Sequence, residues 1–408
     1  MKKKNLPGLT RVLNKLFLVI CLISVSQAFS QEKFKSGDEV LLENVDFLLG
    51  KNVALITNKS ALLPDGTHIV DALLDKGIKI KKIFTPEHGF TIDDLYKETK
   101  YNIDVISLYN EKKTFSANDI QDVDILIFDI QDLGVRCYTY VSTLYLTMKS
   151  ASEYNIPYIL CDRASIANLN YVSGYNLYNK FKSFVGMVPV PLIYGMTIGE
   201  LGNLIRNSDE IKNLNFQIMK LEGYNRETDY RNLYKQWIDL SPSITSLESG
   251  RIYPALVFLE GTNISEGRGT NIPFQIFGAP FCKSEDIIDR LGNYNFKSVK
   301  FSSLKFKPER LNLSVPPKYC DEECNGVEID ILDEQDFKPM ELSIAILVTL
   351  KELYPEFKWN NGFIIDKLAG TDVLRTMIDN GKSYQEIVNS YLKDVEDFKK
   401  EREKFLVY

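Results

Sequence analysis

Residues 127–140 read IFDIQDLGVRCYTY, where an apolar run gives way abruptly to polar and aromatic side chains. The mostly apolar run spans 123–130, and a run of this kind predicts a buried strand. In open α/β sheets, ligands bind just beyond the carboxyl ends of such strands. The carboxylates, amide, guanidinium and phenols at 129–140 are therefore expected to bind a ligand with many polar groups, such as a sugar. The structural alternative is an Asp that caps the next helix and an Arg in a surface ion pair.

Short apolar runs alternate with helical patterns through the first half of the chain. Strands are predicted at 53–57, 80–84, 105–108, 123–130 and 158–161, and helices at 69–76, 118–121 and 142–154. This alternation predicts an α/β fold with a doubly wound, mainly parallel, Rossmann-like sheet over residues 31–245. The later pattern is mixed and predicts a smaller α+β domain over 246–408. No Gly-x-Gly-x-x-Gly follows the first strand, so no dinucleotide cofactor is expected.

The first thirty residues have the layout of a secretory signal peptide. Five basic residues precede the apolar run 16–23, and Ala28-Phe29-Ser30 offers small residues for cleavage before Gln31. Secretion across the inner membrane, to the periplasm, is the expectation. Loss of five positive charges would move the net charge from -6 to -11, which disfavours nucleic acid as a partner. No other segment is apolar enough to cross a membrane, so no stable membrane insertion is expected after cleavage.

The cysteines do not form the pattern of a disulfide framework. Five of the six would remain after cleavage at residue 30, and only Cys320 and Cys324 lie close together in sequence. Their spacing permits a small-loop disulfide in an oxidising compartment. With only two histidines and no second cysteine pair, a metal site is not expected.

Three ordered motifs carry a resemblance to a known family. They are 127–140, FTPEHGF at 84–90 and EGTNISEGRGT at 260–270. Together they resemble a bacterial family, formerly a domain of unknown function, that is associated with exo-β-N-acetylmuramidases. The resemblance covers nearly all of the chain after residue 30. It implies an exo-acting glycoside hydrolase that removes terminal N-acetylmuramic acid from the non-reducing end of peptidoglycan fragments, without cofactor or metal. A non-catalytic protein that binds cell-wall sugars is the alternative.

Three carboxyl groups are the catalytic candidates. Glycoside hydrolysis usually needs one carboxyl group to protonate the leaving oxygen and a second to act as base or nucleophile. Glu87 follows a predicted strand in a turn fixed by Pro86 and Gly89, and apolar neighbours could keep it protonated, as a general acid requires. Asp129 or Glu266 is the expected partner.

The candidates for substrate binding follow predicted strand ends or lie within the motifs. They are Asn58, His88, Gln131, Arg136, Tyr138, Asp162, Arg163 and Arg268. Arg136 or Arg268 could grip the lactyl carboxylate of N-acetylmuramic acid, because a guanidinium matches a carboxylate bidentately. An Arg268–Glu266 pair that only fixes the loop is the alternative. Two departures from the family pattern, 164–166 in place of Pro-Asn-Pro and Tyr194 in place of a common His, bear on specificity.

Overall fold

The computed structural model describes residues 33–89, 103–109, 111–234, 237–310 and 316–408. The predicted signal peptide at 1–30 lies outside these residues. The strands are β1 (Asn52–Thr57), β2 (Lys79–Thr85), β3 (Asp104–Ser107), β4 (Ile125–Asp129), β5 (Tyr158–Cys161), β6 (Ser173–Asn176), β7 (Pro191–Ile193), β8 (Phe216–Met219), β9 (Ile276–Ala279), β10 (Val299–Phe306) and β11 (Cys324–Ile331).

The helices alternate with these strands in the first half and dominate the second. The α-helices are α1 (Gly37–Glu43), α2 (Ile69–Asp75), α3 (Tyr140–Glu153), α4 (Ile198–Arg206), α5 (Leu247–Leu256), α6 (Ser284–Gly292), α7 (Pro339–Leu353), α8 (Ile364–Ala369), α9 (Val373–Asp379), α10 (Tyr384–Asn389) and α11 (Leu392–Arg402). Short 3-10 helices span Val45–Leu48, Asn179–Phe181, Tyr230–Asn232 and Val257–Gly261.

The central sheet has six described strands in the order β3-β2-β1-β4-β5-β8. Every neighbouring pair is parallel. The chain builds outward from β1 through β2 to β3, then returns to the other side of β1 and continues through β4, β5 and β8. The strand order therefore reverses between β1 and β4, and a crevice that binds ligands typically opens at such a switch point.

Alternate residues of the buried strands enter two different cores. Val53 and Leu55 of β1 pack with apolar residues of α1 and α2 on one face of the sheet. Ala54 and Ile56 belong to a larger cluster on the other face, which includes α3 and α4 and continues into the C-terminal part. Side chains alternate across a strand, so burial on both faces requires helices on both faces. The predicted doubly wound α/β class is confirmed.

The C-terminal part contains an antiparallel sheet in the order β10-β11-β9, together with helices α5 to α11. This agrees with the predicted smaller α+β domain, and the boundary at 245/246 stays a prediction. The helix predicted at 118–121 is wrong, because these residues form turns in which the Asp119 carboxylate accepts from the Ser116 backbone amide at 2.6 Å. A segment of four residues is too short to nucleate a helix even where no side chain competes for the backbone hydrogen bonds. Within the described ranges, no helix has the length and apolarity needed to span a bilayer.

Candidate active site

Four predicted site residues lie along one edge of the central sheet. Asn58 follows β1, Glu87 follows β2, Asp129 ends β4 and Asp162 follows β5. In the sheet Thr57 lies opposite Asp129, and all four strands are parallel, so their carboxyl ends meet at the same edge. The expectation of a common edge is confirmed, but burial divides these residues into two groups.

Glu87 is a half-buried carboxylate held by residues from other elements. The Thr139 hydroxyl donates to its Oε2 at 2.7 Å. Tyr109, which follows β3, faces the same carboxylate, and the hydrogen-bonding interaction with Glu87 raises the pKa of this phenol to about 12. Glu87 therefore remains open to a ligand while a hydroxyl fixes its orientation.

His88 lies in a strained turn beside Glu87. Its φ is 70°, in the left-handed region that residues other than glycine seldom adopt. Partial burial lowers the pKa of His88; the charge of Glu87 opposes this effect, and the charges of Arg268 and Lys59 add to it. Charges from the end of β1, the end of β2 and the C-terminal part thus all act on the His88 imidazole. The lowered pKa favours its neutral form.

Arg268 brings the C-terminal part to this edge. Its Nη1 donates to the Ser243 hydroxyl at 2.7 Å, and its guanidinium lies 5.0 Å from the centre of the Phe274 ring. Its Nη2 pairs with Glu260, whose side chain remains 25% exposed, and its Nε lies 3.3 Å from Glu266. Glu260 was not among the predicted candidates, although it opens the 260–270 motif.

Glu266 has a structural position. It is 3% exposed and its Oε2 accepts from Lys318 Nζ at 2.8 Å. Burial alone would raise the pKa of Glu266, but the charges of Lys318 and Arg268 outweigh it and lower the pKa. The prediction of Glu266 as a catalytic partner is not supported by this geometry, because a buried carboxylate saturated by cations cannot reach a substrate. The loop-fixing alternative fits.

Asp129 and Arg163 form a buried ion-pair cluster. Arg163 Nε and Nη2 donate to the two Asp129 oxygens at 2.6 and 2.8 Å, and Nη2 also donates to Asp38 at 2.7 Å. Asp129 is 0% and Arg163 2% exposed. The predicted catalytic role of Asp129 and binding role of Arg163 are therefore corrected to one structural role, which ties β4 and β5 to α1.

Asp162 is also buried, and its carboxylate oxygens accept hydrogen bonds from other residues of the protein. Its oxygens accept from the Thr197 hydroxyl at 2.8 Å, the Gly199 amide at 2.8 Å and the Tyr408 hydroxyl at 2.9 Å. Burial raises the pKa of Asp162 to about 6 despite these donors. Asp162 anchors the start of α4 and the C-terminus instead of contacting a sugar.

Arg136 is corrected from a carboxylate clamp to a core residue. It is 0% exposed. Its guanidinium donates to the backbone carbonyls of Tyr175, Val190, Leu368 and Ala369 at 2.6–3.1 Å. Tyr138 is likewise buried, with its ring edge-on to Tyr140 at 4.7 Å, so it packs the core below the cleft.

Asn58 and Gln131 are buried but keep unused hydrogen-bonding groups. Asn58 Oδ1 accepts from the Ser60 amide at 3.0 Å and its hydroxyl at 2.6 Å, which leaves Nδ2 without a partner among the described residues. Gln131 Nε2 donates to the carbonyls of Asp132 and Ala164, which leaves Oε1 unpaired there. Gln131 also lines a cavity of about 110 Å³ at the switch point, so a binding role stays compatible with the structure.

The described residues contain no group of three or more His, Cys, Asp or Glu side chains arranged to hold a metal ion. The five described cysteines, including Cys320 and Cys324, are free thiols.

Comparison with known proteins agrees with this architecture. Residues 53–248 match the family model described as "Exo-beta-N-acetylmuramidase NamZ, N-terminal", and residues 251–408 match its C-terminal counterpart. The chain belongs to the NamZ exo-β-N-acetylmuramidase family. A Bacillus subtilis relative named peptidoglycan beta-N-acetylmuramidase NamZ is 35% identical over 395 residues, which cover 94% of each chain.

Two crystal structures of DUF1343 family proteins from Bacteroides fragilis share the fold. The first has a TM-score of 0.84 at 30% identity, and the second a TM-score of 0.76 at 29% identity. Each comparison covers 92% of this chain and 99% of the other. The predicted family and fold class are confirmed.

The two departures from the NamZ pattern lie near one another below the cleft. Tyr194 is 0% exposed and donates its hydroxyl to Oδ2 of Asp132, which is also buried. Ser165 and Ile166 line a separate cavity of about 70 Å³ between the two parts of the chain. Tyr194 therefore changes the support of the cleft and does not itself line it.

Proposed function

We propose that the protein is an exported, exo-acting β-N-acetylmuramidase. It would release terminal N-acetylmuramic acid from the non-reducing end of peptidoglycan fragments. Membership of the NamZ family supports the glycosidase activity, and the name of the Bacillus subtilis relative supports peptidoglycan as the source of the substrate. The signal-peptide pattern at 1–30 supports export, since peptidoglycan lies outside the inner membrane.

The observation that carries the proposal is the position of Glu87. Of the three predicted catalytic carboxyl groups, Asp129 and Glu266 are buried in ion pairs and Glu87 is half-exposed. Glu87 sits at the carboxyl edge of the sheet and is oriented by Thr139. A carboxyl group held in this way suits the general acid that protonates a glycosidic oxygen.

Glu260 is the proposed partner carboxylate. It lies in the C-terminal part, where Arg268 holds one of its oxygens while a quarter of the side chain stays exposed, and the charge of Arg268 also acts on His88 beside Glu87. The ion pair with Arg268 would orient this carboxylate for the role of base or nucleophile. This assignment replaces Asp129 and Glu266.

Incubation with the disaccharide N-acetylmuramyl-N-acetylglucosamine tests the activity. Release of free N-acetylmuramic acid is expected, and the reversed disaccharide should stay intact because its non-reducing sugar lacks the lactyl group. Absence of monosaccharide release, with retained binding, would favour the sugar-binding alternative. Export is tested separately by N-terminal sequencing of the periplasmic protein, which should begin at Gln31.

A further inference from the structure

The lactyl group of N-acetylmuramic acid places a carboxylate on the sugar, and a cation in the cleft should meet it. The arginines at the sheet edge are already engaged. Arg136 and Arg163 are buried, and both Nη atoms of each already donate to protein oxygens. Arg268 stands between Glu260 and Glu266, so an incoming carboxylate would meet two negative charges beside it.

Lys59 is a cation at this edge that is not engaged by protein oxygens of the described residues. It follows Asn58 just beyond β1, next to the switch point with β4. The side chain is half-buried, and it makes no hydrogen bond or ion pair with any described residue. Asp239 is the carboxylate whose charge acts on it, and burial still lowers the pKa of Lys59. A partly desolvated ammonium without a partner is unfavourable, and a carboxylate ligand would relieve that cost.

Its position relative to Glu87 suits a bound sugar. Ile56 pairs with Phe84 in the sheet, and Lys59 and Glu87 each follow three residues later. Parallel neighbours lie about 4.8 Å apart, and the charges of Lys59 and Glu87 both act on the imidazole of His88. In N-acetylmuramic acid the glycosidic oxygen on C1 and the lactyl ether on C3 are likewise separated by the pyranose ring.

We propose that Lys59 binds the lactyl carboxylate of N-acetylmuramic acid and sets the preference for muramic over glucosaminyl substrates. The inference rests on the proposed sugar specificity. Lys59 holds the substrate through its charge at the C3 substituent, while Glu87 acts on the glycosidic oxygen at C1. This assignment replaces Arg136 and Arg268 as the source of specificity.

Lys113 is the matched alternative in the same region. It is also half-buried, and its Nζ lies 4.4 Å from the centre of the Tyr109 ring and 4.0 Å from that of Phe184. Tyr109 faces Glu87, so Lys113 lies beyond it on the β3 side. Two aromatic faces already stabilise this ammonium, which leaves it less need of a carboxylate than Lys59.

The test compares two chromogenic β-N-acetylmuramides, one with the free lactyl acid and one with its carboxamide. The amide keeps the shape of the group and removes its charge. Wild-type protein should favour the acid in kcat/KM by roughly ten- to hundredfold, the range of a hydrogen bond between charged groups. In Lys59→Met this ratio should fall close to one, because kcat/KM decreases for the acid and stays unchanged for the amide. Lys59→Arg should restore part of it, and Lys113→Met should keep the wild-type ratio.

Calorimetric titration with free N-acetylmuramic acid and its amide gives a readout independent of catalysis. Lys59→Met should weaken binding of the acid, and Lys113→Met should not. This result would support the role of Lys59 even if no glycoside were hydrolysed. The absence of hydrolysis would by itself mean that the proposed activity fails. Hydrolysis with an acid-to-amide ratio near one in the wild type, or unchanged in Lys59→Met, would overturn the role of Lys59 and leave the activity standing. Loss of the ratio in Lys113→Met would overturn it as well.

Discussion

The hydroxyl of Thr139 donates a 2.7 Å hydrogen bond to Oε2 of Glu87, across 52 residues of sequence. Thr139 precedes α3 at the N-cap position, but its hydroxyl points to Glu87 and does not cap the helix. The tract after β4, residues 130–140, therefore contacts the cleft through Thr139, which orients Glu87. Asp129 at the end of β4, and Arg136 and Tyr138 within the tract, are buried in the core.

Replacement of Glu87 by Gln should remove the proton donor and keep the size of the side chain. We expect kcat to fall by roughly a hundredfold or more, the usual contribution of a general acid, with little change in melting temperature. Steady-state kinetics on N-acetylmuramyl-N-acetylglucosamine measures the effect. Glu266→Gln is the matched control: it leaves Lys318 without its buried partner, so it should lower stability more than Glu87→Gln does. Wild-type turnover in Glu87→Gln would assign Glu87 a structural role.

Thr139→Val tests whether the hydroxyl positions Glu87. Loss of the hydrogen bond should lower kcat by about tenfold and leave KM nearly unchanged, because Thr139 orients the carboxyl group and does not bind the sugar. Thr143→Val removes a hydroxyl one turn later in α3, where it donates only to the Thr139 carbonyl at 3.3 Å. That control should retain wild-type kcat. Equal losses in both variants would indicate general damage to α3.

Arg136→Met should damage the fold without changing specificity. Four backbone carbonyls would lose a charged donor in a site closed to water. A hydrogen bond to a charged group contributes about 1.5–3 kcal/mol, so the free energy of unfolding should fall by several kcal/mol. Urea denaturation measures the loss. Arg206→Met, at an exposed position of α4, should lie within about 0.5 kcal/mol of wild type. An Arg136→Met protein of normal stability with a reduced acid-to-amide ratio would restore the carboxylate clamp.

The sequence predicted the strands of the central sheet better than the roles of the residues after them. The run at 158–161 matches β5 at both ends, because continuous apolar residues bounded by polar ones mark a buried strand. The strand-end rule also placed Asn58, Glu87, Asp129 and Asp162 on one edge correctly. It could not tell which side chains face the cleft, since a buried Asp and an exposed one follow the same pattern.

Long-range pairing decided those roles. Asp129 is neutralised by Arg163, 34 residues away, and Arg163 also holds Asp38, 125 residues away. No local spacing signals such partners. Glu260 opens the 260–270 motif and Lys59 follows the predicted site residue Asn58, but the importance of either emerges only once the neighbouring arginines are seen to be occupied.

Asp132→Asn should change the pH dependence of stability in a defined direction. Burial raises the pKa of Asp132 from 3.8 to about 6, although the Tyr194 hydroxyl and the Gly134 amide donate to it. The folded state then binds this proton more tightly than the unfolded state, so the stabilisation is complete below pH 3.8 and is lost as pH rises through about 6. Asn has no proton to lose. Relative to wild type, the free energy of unfolding of the variant should therefore increase by roughly 2–3 kcal/mol between pH 4 and 7, at about 1.4 kcal/mol for each pKa unit.

Urea unfolding at several pH values gives the difference between the two free energies of unfolding as a function of pH. The contributions of Asp38, Asp162 and His68 cancel in this difference. For Asp75→Asn, at an exposed position of α2, the free energy of unfolding should depend on pH as it does in wild type. A flat difference curve for Asp132→Asn would mean that this carboxyl group binds no more protons in the folded protein than in the unfolded chain over that range.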